Sequence, residues 1–397
     1  MLHCSQLLKC NFFALSLFIG LASSATVAQT RTTPVSSAVQ SCSLGNLQLE
    51  SGETIPNFKM SYITFGSLNE KKSNAILSLH GLQGNRNSQT IWTGSGNAFD
   101  SDRYFVIQPD TLGVASVDPN ATTSATRSGL NMKFPRFNIR DMVNAEYRML
   151  TECLGIKHLL AVGGISMGGI ETLQWLVSYP DFMEAAFPMV PMARTNRQGN
   201  FIWEGVRQVV MNDPKWKNGD YAKGDEPKNG IATGLQIQSA FGVSAAGYDA
   251  LYETAEQVRS MFNSDVKRLS ESIDARDWVY RSWAIDSHDI GQTAGFKGDL
   301  KAAASAIRAK VILFPNCQDQ LHPPREGGVL EVAKYIPQAK LVDLDDIGGH
   351  RGAFTTRTQA LFTAEVQALF KRIEDGLAGI TGPQFPRAFN REDFCPR

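Results

Sequence analysis

The chain lacks any imbalance of charge. Its 39 Lys and Arg residues are matched by 39 Asp and Glu, and no basic block stands out along its 397 residues. Nucleic acids and acidic membrane surfaces recruit proteins through clustered cations, so neither is an expected partner. Metal-ligand spacings of the C-x-x-C or H-E-x-x-H kind are absent, and neither a metal nor another cofactor is expected. There is no internal repeat and no long low-complexity tract, which sets aside solenoids and extended linkers. The apolar run Phe12 to Leu21 is too short to cross a bilayer comfortably, so stable membrane insertion is not expected. Cysteine is scarce, with 6 residues.

Lys9 precedes that apolar run, and Ala22, Ser23, Ser24 and Ala25 follow it, which is the layout of a secretory signal. Residues 1–28 are read as that signal, with cleavage after Ala25 or Ala28. The mature protein is then expected to be secreted or periplasmic. An uncleaved N-terminal anchor is the alternative; a lipid anchor is not indicated, because no Cys sits at the cleavage region. Processing discards Cys4 and Cys10 and leaves Cys42, Cys153, Cys317 and Cys395. In an exported protein of this size four thiols are optional staples. Cys42 and Cys395 lie near the mature termini, which often approach each other. A disulfide between them is expected.

What the chain does contain is an ordinary globular composition, 43% hydrophobic and 20% charged. Short apolar runs alternate with helical spacing. Lys59 to Phe65, Ala75 to Leu79, Tyr104 to Gln108, Leu159 to Gly163, Ala185 to Val190, Lys310 to Pro315 and Lys340 to Asp345 read as strands. Helices are predicted over Ile139 to Leu154, over Gly169 to Tyr179 before Pro180, and over about 355–375 with Gly376 as the stop. This alternation predicts an α/β fold, a mostly parallel sheet with helices on both faces. Residues 194–305 break the rhythm, carry most of the tryptophans and offer no convincing buried strand. They read as an inserted helical cap over the carboxyl edge of the sheet. The core is expected to comprise 29–193 and 306–397, the second part including a surface-wrapped tail.

Gly164-Ile165-Ser166-Met167-Gly168 fits G-x-S-x-G and sits between a strand and a helix. That setting forces the serine into a sharp turn above the sheet, where small neighbours let strand and helix approach. Ser166 is the expected nucleophile of an α/β-hydrolase fold; a glycine-rich structural turn is the bland alternative. A serine hydroxyl needs a base to take its proton, and the order expected is Ser, acid, His, each just past a strand. His350 follows Gly348-Gly349, and Asp319 follows the strand at Lys310 to Pro315. Asp343, Asp345 and Asp346 lie too close in sequence to His350 for the usual arrangement. The oxyanion needs two N–H donors, expected from Met167 and from Leu82 in His80-Gly81-Leu82-Gln83-Gly84, with Gly81 as the fallback. His80 is read as structural. His158, His288 and His322 have no partner visible in sequence, although His322 is close to Asp319.

Several blocks resemble the homoserine O-acetyltransferases of the α/β-hydrolase superfamily. They include Asp102-Arg103-Tyr104-Phe105-Val106-Ile107, Phe134-Pro135 through Val143, the nucleophile block, Asp213-Pro214 with Trp216 and Gly219-Asp220-Tyr221, and Asp274-Ala275-Arg276 with Asp286. Asp319-Gln320-Leu321-His322-Pro323-Pro324 and Gly349-His350 complete the set, which spans about residues 45–375. The resemblance implies functional roles for Ser166, Asp319, His350, Leu82 and Met167. Ile165 stands where the family usually has a second glycine, and two further departures bear on substrate. Ser239 stands where the family has an Arg that grips the carboxylate of the amino acid, and Arg351 stands where it has an Asp that holds the amine. Each buried charged contact is worth about 1.5–3 kcal/mol, so binding of a zwitterion should suffer. Arg351, Ser239 and Arg207 are the candidate substrate-binding residues.

The expected activity is that of an exported serine hydrolase acting on an ester, or less readily an amide, through an acyl-enzyme. Acetyl-CoA is scarce outside the cytoplasm, which favours water as the acceptor. An O-acyltransferase using an acceptor other than homoserine is the second reading, and a catalytically silent binding protein the third. The expected partner is a small-molecule ester or acyl substrate; a homodimer is left open.

Overall fold

The computed structural model describes residues 36–114, 118–270, 273–325, 327–377, 379 and 394–395. The expected signal at 1–28 and most of the expected C-terminal tail lie outside them. Eight strands form one sheet in the order β1-β2-β4-β3-β5-β6-β7-β8. They are β1 (Gln40–Gln48), β2 (Thr54–Phe65), β3 (Ala75–Leu79), β4 (Phe105–Pro109), β5 (Leu159–Ile165), β6 (Met183–Met189), β7 (Lys310–Leu313) and β8 (Ala339–Leu341). β1 and β2 run antiparallel, and every pairing from β4 to β8 is parallel.

Successive residues of a strand point to opposite faces, and here both faces are covered. Leu77, Ile107, Val162 and Ala186 face a core built with α1 (Ile139–Arg148) and α2 (Met167–Ser178). Ile76, Val106, Ala161 and Ala185 face a second core. That burial on both sides is why the central strands read as unbroken apolar runs rather than as alternation. The second core is closed by the C-terminal helix, which offers Phe362, Val366, Leu369 and Phe370 at helical spacing. Its first turn is capped by Thr355, whose side chain accepts from the Thr358 N–H. Truncating Phe362 to Ala would cost about 3–5 kcal/mol.

Between β6 and β7 the chain leaves the sheet for α3 (Arg197–Met211), α4 (Lys228–Gly242), α5 (Ala245–Leu251), α6 (Ala255–Ser270) and α7 (Ala275–Asp286). α8 (Leu300–Ser305), α9 (Val329–Val332) and α10 (Thr356–Glu374), the C-terminal helix, complete the set. Trp203 of α3 and Trp278 of α7 are buried within the insertion. Gly234 of α4 packs directly on the Trp278 ring: an added Cβ would lie 2.8 Å from it. Among the described residues no helix is long and apolar enough to cross a membrane.

The expected Cys42–Cys395 disulfide is overturned. The bonds are Cys42–Cys153, with Cα atoms 5.9 Å apart, and Cys317–Cys395, at 5.4 Å. Cys42 lies on β1, the edge strand, and Cys317 follows β7 near the opposite edge of the sheet. Cys395 returns to that far side, so position near the ends of the chain does not translate into nearness in space. The thiol that meets Cys42 comes from a π-helical turn, Met149–Cys153, that ends α1.

Candidate active site

β5 ends at Ile165 and α2 begins at Met167, leaving Ser166 alone at the turn with φ 57° and ψ −117°. A non-glycine residue adopts positive φ only when its surroundings impose it. Three flanking glycines permit the approach. A Cβ on Gly164 would sit 2.3 Å from the Gly168 carbonyl oxygen, on Gly168 2.4 Å from that of Leu79, and on Gly169 2.5 Å from that of Met189. The Ser166 N–H donates to the Met189 carbonyl at 3.0 Å, pinning the turn to β6.

His350 sits in the turn Gly349–Phe354 beyond β8. Its Nδ1 lies 2.7 Å from Asp319 Oδ2 and its Nε2 lies 2.8 Å from Ser166 Oγ. An ionised carboxylate only accepts, so Nδ1 carries the proton and Nε2 is left to accept from the serine hydroxyl. Asp319 is buried, and its other oxygen accepts from the backbone N–H groups of Leu321 (2.9 Å) and His322 (2.8 Å). Burial alone would raise its pKa, but the facing His350 and these hydrogen bonds hold it below its ordinary value. Asn316, which sequence reasoning missed, donates from Nδ2 to the carbonyls of Asp346 (2.8 Å) and Gly349 (2.6 Å) and so fixes the His350 turn.

His322 packs edge-on to His350, with ring centroids 4.6 Å apart, and bonds the Val190 carbonyl through Nδ1 at 2.8 Å. Burial pushes its pKa down to about 4, so it is neutral near pH 7. His80 is likewise buried and pushed down to about 4 by desolvation; its Nδ1 bonds the Gly81 carbonyl at 2.9 Å. His158 is drawn instead to Glu184 and the Asp181 carbonyl, and His288 to the Met192 carbonyl.

The loop after β3 passes directly over the serine, since a Cβ on Gly81 would lie 3.4 Å from Ser166 Cβ. Met167 opens α2, so its N–H has no carbonyl within the helix to bond. Leu82 is buried and its carbonyl accepts from Arg281 of α7. A cavity of about 470 Å³ opens here, lined by Gly81, Leu82, Ser166 and His350 from the sheet side and by Ser239 and Asp265 from the inserted helices. Arg351 also lines it, paired with Asp265. Arg207 does not. Its guanidinium is committed inside the insertion, to Asp286 at 2.7 Å and Glu204 at 2.8 Å, which removes it from the substrate-binding candidates. Among the described residues no group of three or more His, Cys, Asp or Glu side chains is placed to hold a metal ion.

A hydroxyl bonded to an imidazole, itself oriented by a buried carboxylate, is equipped for nucleophilic attack on an acyl carbon. Comparison with known proteins places this site in context. Residues 74–348 match the family model described as the alpha/beta hydrolase fold. The homoserine O-acetyltransferase of Chlorobaculum tepidum is 31% identical over 331 residues, 79% of this chain and 90% of that one. That of Methanococcoides burtonii is 31% identical over 314 residues, 70% of this chain but 62% of that longer protein. Among solved structures, an acetylester hydrolase from Corynebacterium glutamicum superposes with a TM-score of 0.76 at 29% identity, covering 84% of this chain and 96% of that one. The homoserine O-acetyltransferase of Bacillus anthracis superposes with a TM-score of 0.73 at 25% identity, covering 84% and 98%.

Proposed function

Since the chain belongs to the homoserine O-acetyltransferase-like family of the α/β-hydrolase superfamily, we propose that it is an exported serine esterase working through an acyl-enzyme on Ser166. The observation that carries this is the contact of Ser166 Oγ with His350 Nε2 at 2.8 Å, continued to Asp319 at 2.7 Å. Ser166 Oγ attacks the acyl carbon as His350 Nε2 takes its proton. The N–H groups of Leu82 and Met167 bind the oxyanion that forms. Its collapse breaks the ester bond, and His350 gives the proton to the departing alcohol. Water then attacks the acyl-serine, losing its proton to His350, and collapse restores Ser166 and frees the acid. Asp319 holds the imidazole tautomer throughout.

Water is favoured as the acceptor by what lines the cavity. Ser239 offers no cation where the related acetyltransferases have an Arg for the carboxylate of the amino acid, and Arg351, paired with Asp265, stands where they have an Asp for the amine. The acetylester hydrolase from Corynebacterium glutamicum supports the same reading. Secretion, read from residues 1–28, supports it too, because acetyl-CoA is scarce outside the cytoplasm. A second reading, acyl transfer to an alcohol or amine other than homoserine, is favoured by the curated relatives, which carry the acetyltransferase name. Both readings share the acyl-enzyme. Labelling by a fluorophosphonate probe tests it: Ser166 should be the modified residue, and Ser166→Ala should abolish labelling. Labelling elsewhere would overturn both readings.

A further inference from the structure

We infer that Arg281 is a positioning residue for the oxyanion site, holding the Leu82 donor in place from the inserted helices. The inference rests on the proposed role of the Leu82 N–H. Leu82 stands between Gly81 and Gly84 in a turn closed by the Gly84 N–H bonding the Gly81 carbonyl at 2.9 Å. Glycines leave such a turn many backbone states, so a donor carried on it needs an outside restraint. Leu82, Gln83 and Arg86 tie this loop to other parts of the fold. The Gln83 side chain meets Gln238 of α4 at 2.9 Å, and the Arg86 N–H meets the buried carboxylate of Asp110 at 3.0 Å. At Leu82 the tie is the bond from Arg281 Nη1 to its carbonyl, which acts on the donor residue itself.

Arg281 is built for that contact. It is 4% exposed and absent from the cavity wall. A Cβ on Gly113 would lie 2.7 Å from its Cγ, so a glycine keeps open the path of the side chain. Burial lowers its pKa to about 10, against the opposing pull of Asp277, and it stays a cation at neutral pH. Asp277, one turn back on α7, accepts from Ser124 Oγ at 2.8 Å and from the Thr126 N–H at 3.0 Å. The same helix therefore grips the 118–130 loop with its acid and the oxyanion loop with its base. Seating of the inserted helices and alignment of the Leu82 N–H become one event.

The test uses the full mature chain as Arg281→Met and Arg281→Lys. Three readouts are needed: kcat and KM on p-nitrophenyl acetate, the rate of fluorophosphonate labelling, and affinity for a trifluoromethyl ketone, which presents an oxyanion without turnover. For Arg281→Met the inference expects kcat to fall about 10- to 100-fold, the cost of a misplaced donor. KM should move less than about 3-fold, and labelling rate and ketone affinity should fall alongside kcat. Lysine, which keeps a cation within reach of the carbonyl, should restore part of each. Unchanged ketone affinity and labelling in either folded variant would overturn the inference. If Arg281→Met does not fold, Arg281→Lys decides alone, through the same ketone and labelling measurements against the parent. Failure of the parent itself to label would sink the acyl-enzyme reading instead.

Discussion

The guanidinium of Arg351, the residue directly after His350, is bonded to the carboxylate of Asp265 on α6. Arg268, one turn further along α6, approaches the same carboxylate at 3.3 Å. The cation that stands beside His350 is thus not a free carboxylate receptor. It is half of an ion pair that closes one wall of the cavity.

Freeing Arg351 should change selectivity more than rate. Asp265→Asn is expected to raise kcat/KM for an ester carrying a carboxylate, relative to a neutral one, by about 1.5- to 5-fold. That corresponds to the ~0.2–1 kcal/mol typical of a partly exposed pair. The gain should shrink in high salt. Paired assays of p-nitrophenyl acetate and p-nitrophenyl hemisuccinate, at two ionic strengths, measure it.

Asp319→Asn should leave the fold intact and cost kcat on the order of 10⁴-fold, because an amide no longer selects the productive imidazole tautomer. Steady-state kinetics alongside a thermal melt separate this from unfolding. A loss under about 10-fold would assign the orienting role elsewhere.

The two disulfides close segments 111 and 78 residues apart in sequence. Chain-entropy arguments put each at about 4.5–5 kcal/mol, of which disulfides typically deliver about 2–4. Peptide mapping of the non-reduced protein should recover Cys42 with Cys153 and Cys317 with Cys395. The double variant Cys42→Ser/Cys153→Ser should unfold at lower denaturant than the parent.

Much of this arrangement was readable from the sequence because it is local. Ala75–Leu79 was expected as a strand and is one with the same bounds, since both of its faces are buried. The helix after Ser166 starts at Met167 rather than Gly169, because all the strain of the turn is taken by one residue. Ile139 to Leu154 was expected as a single helix, whereas α1 gives way to a π-helical turn at Met149. Periodicity does not register that widening, which delivers Cys153 to Cys42. Long-range partners were beyond reach for the same reason. Arg281 and Leu82 lie 199 residues apart, and Arg351 and Asp265 86. Nothing local in either segment names the other.

Glu146 of α1 and Glu171 of α2 form a buried carboxyl pair. Thr111 Oγ1 lies 2.9 Å from each, and Trp175 Nε1 donates to Glu146 at 2.8 Å. Burial raises both pKa values, and for Glu171 the neighbouring Glu146 charge raises it further. The folded state therefore keeps a proton that the unfolded chain releases near pH 4.5. Its stabilising contribution is complete below that pH and is lost as pH rises through the folded-state value. Denaturant unfolding from pH 5 to 9 should show stability falling with pH, by up to about 1.4 kcal/mol per unit for one proton. Glu171→Gln, which mimics the protonated form, should flatten the slope. An unchanged slope would remove this pair from the account.

The fate of the acyl group on Ser166 tests the central claim most directly. The protein is incubated with p-nitrophenyl acetate alone, and separately with acetyl-CoA and homoserine, with Ser166→Ala in parallel. Free acetate and O-acetylhomoserine are then quantified. The account expects rapid release of acetate into water, absent in Ser166→Ala, with O-acetylhomoserine a minor product at most. O-Acetylhomoserine as the major product would contradict it, and would mean that Ser239 and the Arg351–Asp265 pair do not exclude a zwitterion from this cavity.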